Sequence, residues 1–359
     1  MTSRERILAA FQGEETDRFP VWLKMTNPTW RSSQPGEVRD LGDAELLTAA
    51  GCDLLLGNRI GCRCERPHAT IATKEENGVR TTTYHTPDGE LVEENSLDSF
   101  TNSWHPTRYP VQCREDLERF RWVFTDTRAS VDPAAVEAHR ERQTALEAQD
   151  AVSITGVGPG PLMDMVEHWC GPENTAYLLF DHPELFEECL ELMHQTRRKE
   201  LHAIAPVCVA DTLWMTENTS TTLISPSMFE SYCMPHLRDY GQIILEGGTI
   251  PVHHMCGALN ALLEQIDSLP ALVNEAYTTY PLGNVSLAEG RRRMPSKCLV
   301  GGTNATLWMA DPDTIVETVA EDLANCPDRS RIFLTSAGVL PPLVSLEKAR
   351  TVTDALKAL

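Results

Sequence analysis

Short apolar runs alternate along this chain with longer stretches in which apolar residues recur at helical spacing. The runs at residues 19–23, 53–56, 151–156, 209–215, 250–255, 272–276, 298–301 and 332–335 have the length and bounding residues of buried strands. Between them, residues 43–50, 184–204, 227–245, 311–324 and 345–359 carry the helical period, and most of these segments open with Ser, Asp or Pro. Thr2-x-x-Glu5 has the form of a capping box ahead of Ile7, Leu8 and Phe11. Eight strand–helix units predict an α/β protein of one domain, residues 1–359, folded as a closed TIM-type (β/α)8 barrel. A doubly wound open sheet is the alternative, but no strand is followed by the Gly-x-Gly-x-x-Gly of a dinucleotide site. The prolines in Gly156-Val157-Gly158-Pro159-Gly160 suit a turn instead.

The rhythm breaks at residues 57–115. Asn77-Gly78 and Asp88-Gly89 are hairpin-turn pairs and residues 79–84 are rich in Thr, which predicts a β meander inserted after strand 2. Residues 132–150 read as a charged helix exposed on most sides.

Composition narrows the partners. Of 359 residues 42% are hydrophobic, ample for a core. Lys and Arg total 31 against 52 Asp and Glu, a formal charge of -21, so nucleic acid would be repelled over most of the surface. The first residues lack the apolar core of a signal peptide, and no run approaches the roughly 18 apolar residues of a membrane span. The expectation is a soluble cytoplasmic protein whose eleven scattered cysteines are reduced.

The candidate chemistry centres on Pro251-Val252-His253-His254-Met255-Cys256-Gly257. Side chains two apart on a strand share a face, so His254 and Cys256 arrive together, an imidazole and a thiolate of the kind zinc prefers. His253 alternates to the outer helices. Strand 4 ends in Trp214-Met215-Thr216-Glu217-Asn218, which brings Glu217 to the same rim. Glu217, His254 and Cys256 are therefore the expected zinc ligands and catalytic centre; the plain alternative is that Glu217 caps a loop. Later strands deliver Glu275, Tyr277 and Thr278, then Asn304, then Ser336 and Gly338. Asn304 and Ser336 are the candidates for cofactor contact, and Trp22, Lys24, Asn27, Trp214 and Tyr277 for substrate. Cys62-x-Cys64 with His68 lacks a second pair, and Cys298 and Cys326 belong to the wrong end of the barrel.

The order of these elements resembles the uroporphyrinogen decarboxylase superfamily. The resemblance rests on Asp17-Arg18-Phe19-Pro20-Val21-Trp22, Ile224-Ser225-Pro226 with Phe229 and Glu230, His254-Met255-Cys256-Gly257, Gly301-Gly302-Thr303-Asn304 and Gly338-Val339-Leu340-Pro341-Pro342. It implies a TIM barrel. The decarboxylase itself has an arginine-bearing Met-Arg-Gln-Ala-Gly-Arg after the first strand; this chain has Lys24-Met25-Thr26-Asn27-Pro28-Thr29, which argues against uroporphyrinogen as substrate. The His-x-Cys is similar to that of zinc methyltransferases working with corrinoid proteins. Members acting on coenzyme M add a late cysteine where Gly338 stands, leaving Glu217 as third ligand.

The resemblance thus implies a zinc-dependent methyltransferase moving a methyl group from a small methylated substrate, a methoxylated aromatic first, to the cob(I)alamin of a separate corrinoid-binding protein. A homodimer is the assembly kept in view. The alternatives are a methylcobalamin:thiol methyltransferase of the coenzyme M type, a metal-free decarboxylase using Lys24, Arg59 or Tyr277, and an accessory barrel that has lost catalysis.

Overall fold

The computed structural model describes all 359 residues. Eight parallel strands form one sheet: β1 Val21–Trp22, β2 Leu55–Gly57, β3 Val152–Val157, β4 Thr212–Thr216, β5 Ile250–His254, β6 Val273–Tyr277, β7 Cys298–Gly302 and β8 Ile332–Thr335. Their spatial order is β1-β8-β7-β6-β5-β4-β3-β2, each strand lying beside its neighbours in sequence. The seam between β1 and β2 closes through Asp53 rather than a ladder. Its backbone N–H donates to the Val21 carbonyl at 2.7 Å, and its carboxylate accepts the Val21 N–H at 2.9 Å. This is the TIM barrel that the alternation predicts. Strands such as β6 and β7 are buried at every position, as expected when one face fills the barrel and the other meets helices.

Each strand lies within a few residues of its predicted bounds. The largest trim is at β4, which starts at Thr212 because Asp211 is engaged just before it, by Arg4 at 2.6 Å and by the Ser153 N–H at 2.8 Å. The predicted helix at 227–245 is in three pieces, Pro226–Met228, a π-helical turn Phe229–Cys233 and Met234–Glu246. Pro235 accounts for the break, since it has no N–H and its ring crowds the carbonyl four residues back. A second π-helical turn, Met165–Trp169, follows the short helix Pro161–Asp164 after β3. After β5 come a 3-10 turn, Asn260–Leu262, and the short helix Leu263–Asp267.

The insertion is a four-stranded antiparallel meander, Thr70–Glu76, Val79–Thr86, Gly89–Asp98 and Ser103–Arg108. Asn77 and Gly78 have φ of 54° and 74°, the paired left-handed residues of a tight hairpin. The second hairpin turns one residue earlier than predicted, at Pro87–Asp88, with Gly89 already opening the next strand. The sheet is largely exposed and docks through Leu91 and through Tyr84, whose ring is 5.1 Å from that of Trp169. Its tip reaches the segment after β1, where the Thr29 hydroxyl donates to the Thr101 carbonyl at 2.8 Å. No helix is long and apolar enough to cross a membrane.

Candidate active site at the barrel mouth

Parallel register sets His254 at the end of β5 directly beside Glu275 on β6. Glu275 is wholly buried. Its Oε2 holds His254 Nδ1, and its Oε1 lies 2.6 Å from Lys24 Nζ, just beyond β1. Burial works against charge on Glu275 and on His254. Against that cost, the two cations hold the Glu275 carboxyl below its usual range. Burial lowers His254, but the Glu275 carboxylate and the contact with Cys256 outweigh it and raise the imidazole to about 9. With Nδ1 committed to a carboxylate, Nε2 is the nitrogen left to face a ligand. This is the arrangement by which metal-binding histidines are oriented.

Cys256 follows two residues on. Its thiol donates to Asn218 Oδ1 at 3.3 Å, and Asn218 Nδ2 donates to Glu167 Oε2 at 2.9 Å. Gly257 has a φ of 153°, and a Cβ there would stand 2.6 Å from that of Ser220. The turn that presents Cys256 therefore requires glycine. Glu167 lies on the π-helical turn Met165–Trp169, its Oε1 buried without a hydrogen-bond partner. Burial raises its carboxyl, with Asn218 opposing. It opens onto a cavity of about 470 Å³ between the inserted sheet and the barrel, lined also by Glu93, Trp104, Tyr109 and His168.

Glu217 departs from the expected convergence. Its N–H donates to the Met215 and His254 carbonyls, both at 3.0 Å, and Asn218 takes a φ of 47°. In that tight turn Asn218, not Glu217, is the residue directed to Cys256. The Glu217 carboxylate is wholly buried beside Gly160, whose N–H donates to Oε2 at 2.6 Å, while Oε1 has no partner. Burial drives its carboxyl up to about 8, against the Gly160 bond. Three ligand atoms within 4.8 Å of one another occur at Glu191, His194 and His236, and not at Glu217, His254 and Cys256.

The other candidates divide. Trp22 and Trp214 meet edge to face with centroids 6.1 Å apart, and Lys24 Nζ is 6.0 Å from the Trp22 ring, so these three belong together at the mouth. Tyr277 does not: its hydroxyl donates to the Ser286 carbonyl at 3.0 Å among the outer helices. The irregularity between Glu275 and Tyr277 in their pairing with β7, with Ala276 at a φ of 61°, upsets simple alternation there. Asn27 spends its amide on capping, accepting from the Trp30 N–H at 3.0 Å and donating to the Lys24 carbonyl at 2.7 Å. Asn304 donates to the Tyr280 carbonyl at 2.8 Å and accepts from the Leu307 N–H at 3.1 Å, tying two rim loops. Ser336 accepts from the Lys24 N–H at 3.2 Å and donates to the Gly338 carbonyl at 2.7 Å. All three shape the rim through backbone bonds. His253 is buried among the outer elements, pushed down to about 3 by burial and Lys297.

Sequence reasoning reached Glu275 as a rim residue without giving it a role, although a carboxylate inside the apolar run Val273-Asn274-Glu275-Ala276-Tyr277 is itself a signal. Glu167 left no such mark. It sits in a segment with ordinary helical composition, and the π-helical turn that orients it is not visible in a periodicity.

The chain was compared with known proteins. It aligns over its whole length with the structure of a methyltransferase from Methanosarcina mazei, at 16% identity and a TM-score of 0.61, covering 99% of that chain. A B12-independent methionine synthase from Shewanella sp. W3-18-1 matches at 11% identity and a TM-score of 0.46, over 87% of this chain and 82% of the other. No curated protein sequence matches. The family model of uroporphyrinogen decarboxylase (URO-D) matches residues 110–359. That span holds β3 to β8 with His254, Cys256 and Glu275, and the chain belongs to the uroporphyrinogen decarboxylase family.

Proposed function

We propose that this protein is a methyltransferase that moves a methyl group from a small methylated substrate to the corrinoid of a separate protein, with zinc held at the barrel mouth. The observation that carries the reading is His254, anchored at Nδ1 by Glu275 and followed two residues later by the Cys256 thiol. His254 Nε2 and Cys256 Sγ are the first two proposed donors. Glu217 is the third on chemical type and on its unpartnered buried Oε1, and a turn of its side chain toward Cys256 is the change that binding would demand.

Bound there, zinc would supply Lewis acidity to the heteroatom that leaves the methyl group. The corrinoid, carried by a partner protein, would supply the nucleophile. The protein's own residues do the rest. Glu275 and Lys24 fix the imidazole, Trp22 and Trp214 line the approach, and Glu167 faces the cavity with a carboxyl that burial keeps protonated more readily than usual. A shell with one thiolate is harder than one with two and favours an oxygen or nitrogen leaving group, a methoxylated aromatic first.

The metal-free decarboxylase alternative asks Lys24 to hold a substrate carboxylate, yet its ammonium is already paired with Glu275 at 2.6 Å. The thiol-specific alternative needs a late cysteine. At Gly338 nothing lies within 4 Å of where a Cβ would be, so Gly338→Cys can be built to test it. We expect that variant to bind zinc more tightly and demethylate an ether more slowly. The deciding experiment combines elemental analysis with the absorbance change of cob(I)alamin over a panel of methoxylated aromatics, methylamines and thiols. His254→Ala and Cys256→Ser should each cost one zinc per chain and all turnover. Full metal retention in both, or activity on thiols alone, would sink the proposal.

A further inference from the structure

A second group of donors lies on the outer wall. Glu191 and His194 stand three apart on the helix Pro183–Ile204, and His236 projects from the helix Met234–Glu246 packed beside it. One ligand atom from each lies within 4.8 Å of the other two. The two imidazole rings are stacked, with centroids 4.3 Å apart and planes at 24°. Asp239, three residues after His236, brings its Oδ2 to 3.4 Å from His194 Nε2 while pairing with Arg198 at 2.7 Å.

Two stacked histidines are an expensive way to fill space between helices. Burial lowers both imidazoles, and the neighbouring His194 takes His236 down to about 4. His236 Nδ1 is buried with no hydrogen-bond partner, which costs free energy. His194 Nδ1 is 2.9 Å from the Tyr240 hydroxyl, and Tyr240 is buried. A hydrogen bond at one ring nitrogen is how second partners orient metal-bound imidazoles.

We infer that Glu191, His194 and His236 form a second metal site, for zinc or another borderline divalent transition ion, that ties the helices preceding β4 and β5. Two imidazoles with one carboxylate match zinc and its neighbours. Calcium and magnesium, which want oxygen shells, do not fit. The site joins two outer helices, shares no residue with His254, Cys256 or Glu217, and does not depend on the proposed function. Its presence means that His254 and Cys256 are read from the difference in metal content between wild type and the mouth variants, not from the wild-type total.

The test is zinc titration by calorimetry on the full chain, with thermal unfolding alongside. Wild type should bind two equivalents, His254→Ala/Cys256→Ser one, and the same variant with His194→Gln/His236→Gln none. Zinc should raise the unfolding midpoint of the mouth variant, and the outer substitutions should abolish that rise while leaving the metal-free midpoint within a few degrees. If the mouth does not bind zinc but the outer site does, wild type binds one equivalent that mouth substitutions spare and outer ones remove. Unchanged stoichiometry and affinity after His194→Gln/His236→Gln would overturn the inference. If those substitutions lower the metal-free midpoint by more than a few degrees, the single variant Glu191→Gln takes their place, and an unchanged affinity there would overturn it equally.

Discussion

The two ends of the barrel differ in how fully their buried carboxylates are paired. At the N-terminal end, Asp53 receives Arg6 at 2.6 Å, Arg18 at 2.8 Å and the Val21 N–H at 2.9 Å. Asp211 is likewise filled by Arg4 and by the N–H and hydroxyl of Ser153. At the mouth, Glu217 and Glu167 each keep one buried oxygen without a partner. A buried polar atom left unpaired costs on the order of 1–3 kcal/mol, and a chain tolerates that where something else will pair with it. Asp53 and Asp211 are closed at the base, as Glu275 is at the mouth, whereas Glu217 and Glu167 are left partly open there.

The sharpest way to break this contrast is at Asp53. Asp53→Ala removes the bridge between β1 and β2 and leaves the buried Arg6 short of one partner. It should cost about 3 kcal/mol in urea unfolding. Glu217→Gln, by contrast, should leave stability at neutral pH unchanged or improved. Equal losses at the two positions would mean that the ends do not differ in kind.

Next in size is the anchor of His254. Glu275→Gln keeps the shape but loses the carboxylate that orients the imidazole. Zinc affinity at the mouth, measured with the outer histidines already replaced, should fall roughly 10- to 100-fold. An unchanged affinity would remove Glu275 from the site.

The contrast also has a sign in pH. Without metal, folded Glu217 keeps its proton to about 8, against an ordinary value of 4.5. Between those limits the folded state binds the extra proton, so stability falls as pH rises, by about 1.4 kcal/mol per unit. His254 acts in the same direction: its contribution is complete below 6.5 and is lost as pH rises through about 9. Asp211 has the opposite sign, since its carboxyl is held below the ordinary 3.8 despite burial, and its contribution is lost only on acidification. His253 and His236, held down to about 3 and about 4, oppose this below pH 6.5, so the test is the difference between proteins: in urea unfolding in a chelator at pH 5, 6.5 and 8, Glu217→Gln should become progressively more stable relative to wild type as pH rises. An unaltered slope would show that Glu217 does not carry the proton.

What was legible in the sequence follows the same division. Alternating apolar runs specify the eight strands because each strand is buried on both faces, and Asn77-Gly78 specifies its hairpin because few residues accept two left-handed positions. His254 ends its strand and was legible at the rim from that position; Cys256, two residues past the strand, is presented by the turn at Gly257. Glu217 was not legible, because it lies past the strand in a turn where strand alternation lapses, and Tyr277 failed at an irregularity in the ladder. Glu167 depends on a π-helical turn, and Glu191, His194 and His236 on the packing of two helices distant in sequence. Periodicity speaks to neither.

The smallest effect separates shaping from contact at the rim. Asn27 was expected to meet substrate, but its amide caps the helix Pro28–Ser32 and holds the Lys24 carbonyl. Removing such a cap typically costs about 1 kcal/mol. Asn27→Ala should therefore lower stability by about that amount, and Asn27→Asp by less, since Asp keeps the acceptor for the Trp30 N–H and loses only the donor to Lys24. If the cap is the whole role, KM for the methyl donor stays within about twofold in Asn27→Asp, where the helix is preserved. A large rise in KM in that variant with stability intact would return Asn27 to the substrate site, and would show that a side chain whose hydrogen bonds are already spent at the mouth can still be exchanged for a ligand.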